Sequence, residues 1–194
     1  MQAEGHAAPP HRAGASREEE AMNADAIKKA IRDVPDFPKP GILFKDITPV
    51  LSDPKLFRAA VDLLADRHAG SRIDRVAMIE ARGFTFGTGV ALKLGVGIAL
   101  VRKPGKLPGR TISASYELEY GSATLHTHTD AILPGERVLL VDDLLATGGT
   151  AAATAGLIEQ LGGKVVEIEF LIELAFLKGR EKLARWPVFA PIVF

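Results

Sequence analysis

Cysteine is absent from the 194 residues, so neither a disulfide framework nor a thiolate metal site can be built. The absence agrees with a cytoplasmic protein. No apolar run reaches the length of a membrane span. The N-terminus lacks the apolar stretch of a signal peptide, and Arg17-Glu18-Glu19-Glu20 is too acidic for a transit peptide. An excess of one charge is missing too. With 24 basic and 24 acidic residues, the chain is not a general binder of nucleic acid or membrane surface. There is no internal repeat.

What is present is an apolar fraction of 47%, enough for one sizeable core. Residues 1–21 hold almost no large apolar side chain, so they are expected to form a disordered tail before a single domain, 22–194. A helix is expected over 24–32, followed by an extended passage imposed by Pro35, Pro38 and Pro40. Ser52-Asp53-Pro54 reads as a helix start, with Phe57, Ala60, Val61 and Leu64 on one face and Gly70 as the stop. Strand 76–79, helix 86–94 and strand 97–101 form one strand–helix–strand unit. Strand 138–141, helix 151–161 and strand 165–174 form a second. Two such units predict an α/β domain with parallel strands and a site at their carboxyl ends. Residues 111–118 and 122–128 alternate like a hairpin or flap. A surface turn, 179–187, then leads to a terminal strand, 188–194.

The densest signal is Val138-Leu139-Leu140-Val141-Asp142-Asp143-Leu144-Leu145-Ala146-Thr147-Gly148-Gly149-Thr150. A buried strand here runs through two carboxylates into a small-residue turn and a helix. The helix N-terminus offers unpaired N–H groups and a partial positive charge, which suits a phosphate. Gly148 and Gly149 let a ligand come close to the backbone, and Thr147 and Thr150 add hydroxyls. Asp142 and Asp143 are poor phosphate ligands but good acceptors for the vicinal hydroxyls of a ribose. The residues describe a ribose 5-phosphate site. They are not a Walker loop, because the lysine and the glycine spacing are missing.

Other residues can carry chemistry. Glu80-Ala81-Arg82-Gly83 follows a strand and reads as a second anion-binding turn. Arg102, Lys103, Lys106 and Arg110 put cations on a Pro/Gly-rich loop, which is either a solvated basic loop or a polyanion contact. Phe44 is either a core ring or a ring that stacks on a base. His126 and His128 share a strand face, but no third ligand is near, so solvent-facing histidines are expected. Trp186 reads as core or interface.

Together with Asp36-Phe37-Pro38-Lys39-Pro40-Gly41-Ile42-Leu43-Phe44-Lys45-Asp46-Ile47 and Tyr116-Glu117-Leu118-Glu119-Tyr120-Gly121, these stretches resemble the type I phosphoribosyltransferases, and within them the adenine-using branch. The resemblance runs from about Ile31 to the C-terminus. It implies a central, mostly parallel sheet flanked by helices, a small N-terminal hood and a mobile hairpin flap. It implies transfer of phosphoribosyl from phosphoribosyl diphosphate (PRPP) to adenine, giving AMP and pyrophosphate, with Mg²⁺ carried by PRPP and no metal bound by the protein itself. Asp142 and Asp143 would hold the ribose. Ala146, Thr147, Gly148, Gly149 and Thr150 would hold the 5-phosphate. Ala81, Arg82, Arg102 and Lys106 would meet pyrophosphate, one of the loop cations reaching the partner subunit's site in a homodimer. The family's pyrophosphate turn often holds a non-proline cis peptide, matching Ala81–Arg82. Glu119 and Tyr120 would form the flap tip, with Glu119 a candidate for handling the adenine proton. Leu43, Phe44 and Lys45 would cover the base. Two alternatives stay open: an enzyme for another purine such as xanthine or hypoxanthine, and a non-catalytic PRPP-sensing regulator. The polar tail is too short to give the latter a DNA-binding region.

Overall fold

The alternation of apolar residues along two central strands divides the core. Val76 and Met78 pack on one side of the sheet and Ala77 and Ile79 on the other. Leu139 and Val141 are likewise separated from Val138 and Leu140. A sheet buried on both faces must be covered by helices on both, which is why these strands read as near-continuous apolar runs.

The computed structural model describes residues 17–117 and 122–194. The elements are α1 (Arg17–Ala30), β1 (Arg32–Pro35), β2 (Leu43–Asp46), α2 (Thr48–Ser52), α3 (Pro54–Ala65), β3 (Arg75–Ile79), α4 (Gly83–Leu94) and β4 (Gly97–Val101). There follow β5 (Thr111–Glu117), β6 (Ser122–His128), β7 (Arg137–Leu145), α5 (Gly149–Gln160), β8 (Lys164–Glu173), α6 (Gly179–Lys182), β9 (Val188–Phe189) and β10 (Ile192–Val193). The central sheet runs β10-β8-β7-β3-β4, with β9 also on β8, and every pairing in it is parallel. The expected α/β architecture is the observed one. β1 and β2 form a separate antiparallel pair, the hood, and β5 and β6 form an antiparallel hairpin. No helix among the described residues is long and apolar enough to cross a membrane.

Local chemistry explains most boundaries. Asp53 caps α3, accepting from the N–H groups of Lys55 and Leu56 at 2.8 and 3.2 Å, with Pro54 at the first position. Gly95, at φ 70°, closes α4 in the left-handed conformation.

Several expectations need correction. The first helix begins at Arg17, not 24, because Glu18, Glu19 and Glu20 favour a helix N-terminus and Lys28 and Lys29 its C-terminus. The boundary expected at residue 21 therefore falls inside α1, and residues 1–16 of the expected tail lie outside the described residues. β7 continues past Val141 to Leu145, so both aspartates are strand residues, with Asp142 opposite Phe170 of β8. α4 and α5 each start earlier than expected, at Gly83 and Gly149. The terminal strand is two short pieces, β9 and β10, with Pro191 between them; proline cannot donate to a ladder. The segment 179–187 is more than a surface turn, since Gly179 and Leu183 are buried.

Candidate active site

β7 carries the site. Its apolar residues lock it between β3 and β8, and its last residues emerge at the carboxyl edge of the sheet. Alternation along the strand sends the two carboxylates apart. Asp143 is buried and meets Arg82, whose Nε donates to Oδ2 at 2.5 Å. Asp142 lines a small pocket with Thr147, Gly148, Thr150, Ala151 and Phe170. Its Oδ1 accepts from the Asp143 N–H at 2.9 Å. Burial, and next the neighbouring Asp143 charge, push the Asp142 carboxyl well above the usual carboxylate range. Among the described residues one guanidinium therefore serves two adjacent acids, and the pair is short of positive charge.

Glycines let the backbone close around this pair. A Cβ on Gly83 would stand 2.8 Å from Asp142 Oδ1 and 3.1 Å from the Val141 carbonyl, so the start of α4 can sit against β7 only as glycine. Gly148, the residue before α5, has φ 77°, and any side chain there would strike the Gly179 carbonyl. Gly179 in turn abuts the Ala146 carbonyl. The turn 146–150 is thus braced from behind by the start of α6. Its N–H groups stand at the N-terminus of a twelve-residue helix, where an anion is stabilised.

The second expected anion turn stands beside it. Glu80, Ala81 and Arg82 follow β3, and the non-proline cis peptide is Glu80–Ala81, one bond earlier than expected. Glu80 is bound by Arg102, whose Nη2 and Nε donate at 2.9 and 3.2 Å, and by the Lys103 N–H at 3.1 Å. Those bonds, the Arg102 one foremost, hold its carboxyl below the usual range. Arg102 also donates to the Lys106 carbonyl at 3.0 Å, so it ties the basic loop to the β3 turn; the Lys106 side chain is exposed.

Phe44 approaches from the hood. Its ring packs edge-on against Phe37 at 5.0 Å and lies 5.6 Å from the Arg82 guanidinium. Leu43, Phe44 and Lys45 are strand residues of β2 rather than loop residues. Lys45 does not turn its ammonium to the site: it pairs with Asp33 at 2.6 Å and lies over the Phe194 ring at 4.0 Å. β2 pairs only with β1 among the described residues, so its other edge offers main-chain groups. Glu119 and Tyr120 lie outside the described residues.

The histidines differ from expectation. His126 and His128 are half-buried, with His126 Nδ1 3.2 Å from Thr111 Oγ1 and His128 Nε2 2.7 Å from the Pro108 carbonyl. Hairpin packing supplies these partners. Trp186 is half-buried against the core, its Nε1 donating to Glu159 at 2.9 Å. Among the described residues, the metal-ligand types that converge are His68, Glu167 and Glu169, within 4.8 Å of one another. Arg67 already stands 3.1 Å from Glu167 and 3.8 Å from Glu169.

Residues 47–187 match the phosphoribosyl transferase domain model. The chain belongs to the phosphoribosyltransferase family. A relative from Geobacter metallireducens, named adenine phosphoribosyltransferase, is 56% identical over 170 residues, covering 88% of this chain and 99% of its own. The crystal structure of adenine phosphoribosyltransferase from Thermoanaerobacter pseudethanolicus is 55% identical, with a TM-score of 0.86 over 88% of this chain and 99% of that one. The Saccharomyces cerevisiae enzyme, 45% identical, matches with a TM-score of 0.84 over 89% of this chain and 99% of its own; its structure holds adenine and an imino-altritol bisphosphate. In phosphoribosyltransferase terms, the residues that sequence reasoning missed are Glu80, Gly83, Tyr116 and Gly179. Glu80 and Gly83 stood in a quoted motif with no role attached. Tyr116 and Gly179 act through contacts distant in sequence.

Proposed function

We propose that this chain transfers the 5-phosphoribosyl group from PRPP to adenine, giving AMP and pyrophosphate, the chemistry of purine salvage. The observation that carries the reading is the Arg82–Asp143 contact: it brings the pyrophosphate turn after β3 against the ribose carboxylates of β7. One substrate joining a 5-phosphate, a ribose and a pyrophosphate spans the phosphate turn, the aspartates and Arg82 in order. The names of the relatives and the adenine in the yeast structure support the choice of base.

The site residues do three things. Backbone N–H groups of 146–150, with the Thr147 and Thr150 hydroxyls, fix the 5-phosphate. Asp142 and Asp143 hold the ribose hydroxyls. As the bond to pyrophosphate breaks and the adenine nitrogen attacks the anomeric carbon, the ribose becomes cationic and supplies the positive charge that this acid pair lacks. That attraction is stronger in the transition state than in the ground state, which is what lowers a barrier. No nucleophilic side chain is required. Arg82, Arg102 and Lys106 neutralise the leaving pyrophosphate, together with the Mg²⁺ that arrives on PRPP as part of the substrate. Phe44 covers the base while the free edge of β2 reads it. Glu119 and Tyr120 are assigned to the flap tip, with Glu119 handling the adenine proton.

The reading includes a cytoplasmic homodimer in which a loop cation serves the neighbouring site. Leu92 and Ile98, 78% and 43% exposed on α4 and the edge strand β4, offer apolar surface for it. Sedimentation at micromolar concentration should show a dimer; monomer alone removes that element. The function itself is tested by incubating the protein with PRPP, Mg²⁺ and each purine. Adenine presents a C6 amino donor and an N1 acceptor, whereas 6-oxopurines reverse both, and each mismatched buried group costs about 1–3 kcal/mol. AMP from adenine, with at least tenfold less nucleotide from hypoxanthine, guanine or xanthine (about 1.4 kcal/mol per tenfold), is expected. Comparable turnover of hypoxanthine would reassign the base, and no nucleotide from any purine would make the chain a sensor.

A further inference from the structure

Tyr116 stands on β5 with its hydroxyl 3.1 Å from Thr150 Oγ1, in the first turn of α5. Its ring belongs to a small apolar cluster with Val101, Leu125 and Leu157 that seats the hairpin on α5. A Cβ built on Gly149 would lie 3.1 Å from Tyr116 Cδ2, so the glycine lets the ring come against the phosphate turn. Phenylalanine would satisfy the packing equally well. The phenol oxygen adds one thing: a bond to Thr150.

We propose that Tyr116 is a positioning residue for the 5-phosphate, acting through Thr150 and not on the ligand. The inference rests on reading 146–150 as the phosphate turn. A threonine hydroxyl has one proton. Here Thr150 donates it to Tyr116. A phosphate oxygen is a far better acceptor, being charged. When phosphate arrives, the pair reverses: the Thr150 O–H donates to the phosphate and the Tyr116 O–H donates to Thr150. Hydrogen bonds in such a chain polarise and strengthen one another. No covalent bond changes. The consequence is that the hairpin reports to, and is held by, an occupied phosphate turn.

The test is a double-mutant cycle read by the dissociation constant of ribose 5-phosphate, with inorganic pyrophosphate as the second probe. Tyr116→Phe removes one oxygen and keeps the ring packing, so the melting temperature should hold within about 2 °C. It should weaken ribose 5-phosphate by about fivefold to tenfold, the loss of one charge-coupled hydrogen bond, and leave pyrophosphate affinity unchanged. Thr150→Ala should weaken ribose 5-phosphate at least as much. Tyr116→Phe added to Thr150→Ala should cost nothing further. An unaffected Thr150→Ala would overturn the phosphate-turn reading itself. A weakened Thr150→Ala beside an unaffected Tyr116→Phe would overturn only the role of Tyr116. Additive losses in the double variant would also overturn it, because Tyr116 would then act on the ligand by another route. A fall in pyrophosphate affinity with Tyr116→Phe would mean general distortion and would equally remove the proposal.

Discussion

Two carboxylate pairs sit on neighbouring strands of one sheet, in opposite surroundings. Asp142 and Asp143 lie near the carboxyl end of β7; Glu167 and Glu169 lie on β8, with Glu169 in register with Val141. Burial raises an acid in each pair: Asp142 well above its usual range, and Glu169 to about 7. What differs is what covers them. In the β7 pair Asp142 opens onto a pocket at the strand ends, and among the described residues one guanidinium, Arg82, meets the two acids, at Asp143. The β8 pair is closed by His68, whose Nε2 is 3.0 Å from Glu169 Oε1, and by Arg67, which stacks on Phe189 at 3.7 Å. A raised carboxyl is therefore no sign of chemistry by itself. An open approach and an unmet demand for positive charge are.

The comparison is broken most directly by removing charge from each pair. Asp142→Asn and Asp143→Asn should each lower turnover by about 10²-fold or more, on the scale of a lost transition-state electrostatic contact, and weaken PRPP binding much less. Glu169→Gln should leave turnover within about twofold, since a side chain outside the site changes transition-state binding little. Equal losses from both pairs would erase the distinction.

Proton linkage sharpens it. Glu169 titrates near 7 in the fold against a usual 4.5, so between those values the folded state holds the extra proton. Stability is therefore greatest on the acid side of this window and falls as pH rises through about 7, by roughly 3 kcal/mol in the limit. Chemical denaturation from pH 5 to 8 should show the fall, and Glu169→Gln should flatten it. The Asp142 effect has the opposite sense in activity. Its carboxylate must be ionised, so turnover should fall as pH drops, along an acid limb above the ordinary carboxylate range, and Asp142→Asn should remove that limb.

Backbone closeness is the next test. Gly83→Ala places a methyl 2.8 Å from Asp142 Oδ1 and 3.1 Å from a main-chain oxygen. Either α4 or the aspartate must shift, at about 1–3 kcal/mol. Denaturation midpoints measure the cost, and turnover should fall with it. The smallest effect is on the basic loop, where PRPP with Mg²⁺ should slow tryptic cleavage after Lys106 severalfold. Equal cleavage would detach the loop from the site.

How much of this could be read beforehand follows the range of the interactions. β3, β4 and the turn 146–150 were legible because each is dictated by adjacent residues: unbroken apolar runs, then small residues before a helix. Asp142 and Asp143 were legible because consecutive acids on a buried strand demand a reason. The length of β7 was not, because acids look like a strand's end when the partner strand is unseen. The start of α1 was hidden in a polar stretch whose charges favour a helix terminus. Tyr116, 34 residues from Thr150, and Glu80, 22 from Arg102, take their roles from contacts that no local pattern announces. Gly179 braces Ala146 in the same way.

The central claim is that the β7 pair recognises positive charge developing on the ribose. Its most direct test compares ribose 5-phosphate with an analogue whose ring oxygen is replaced by a protonated nitrogen, measuring the affinity of each for the wild type, Asp142→Asn and Asp143→Asn. The account predicts that the wild type favours the cationic analogue strongly, and that each substitution removes most of that preference while ribose 5-phosphate affinity changes little. Equal weakening of both ligands, with the preference intact, would contradict it.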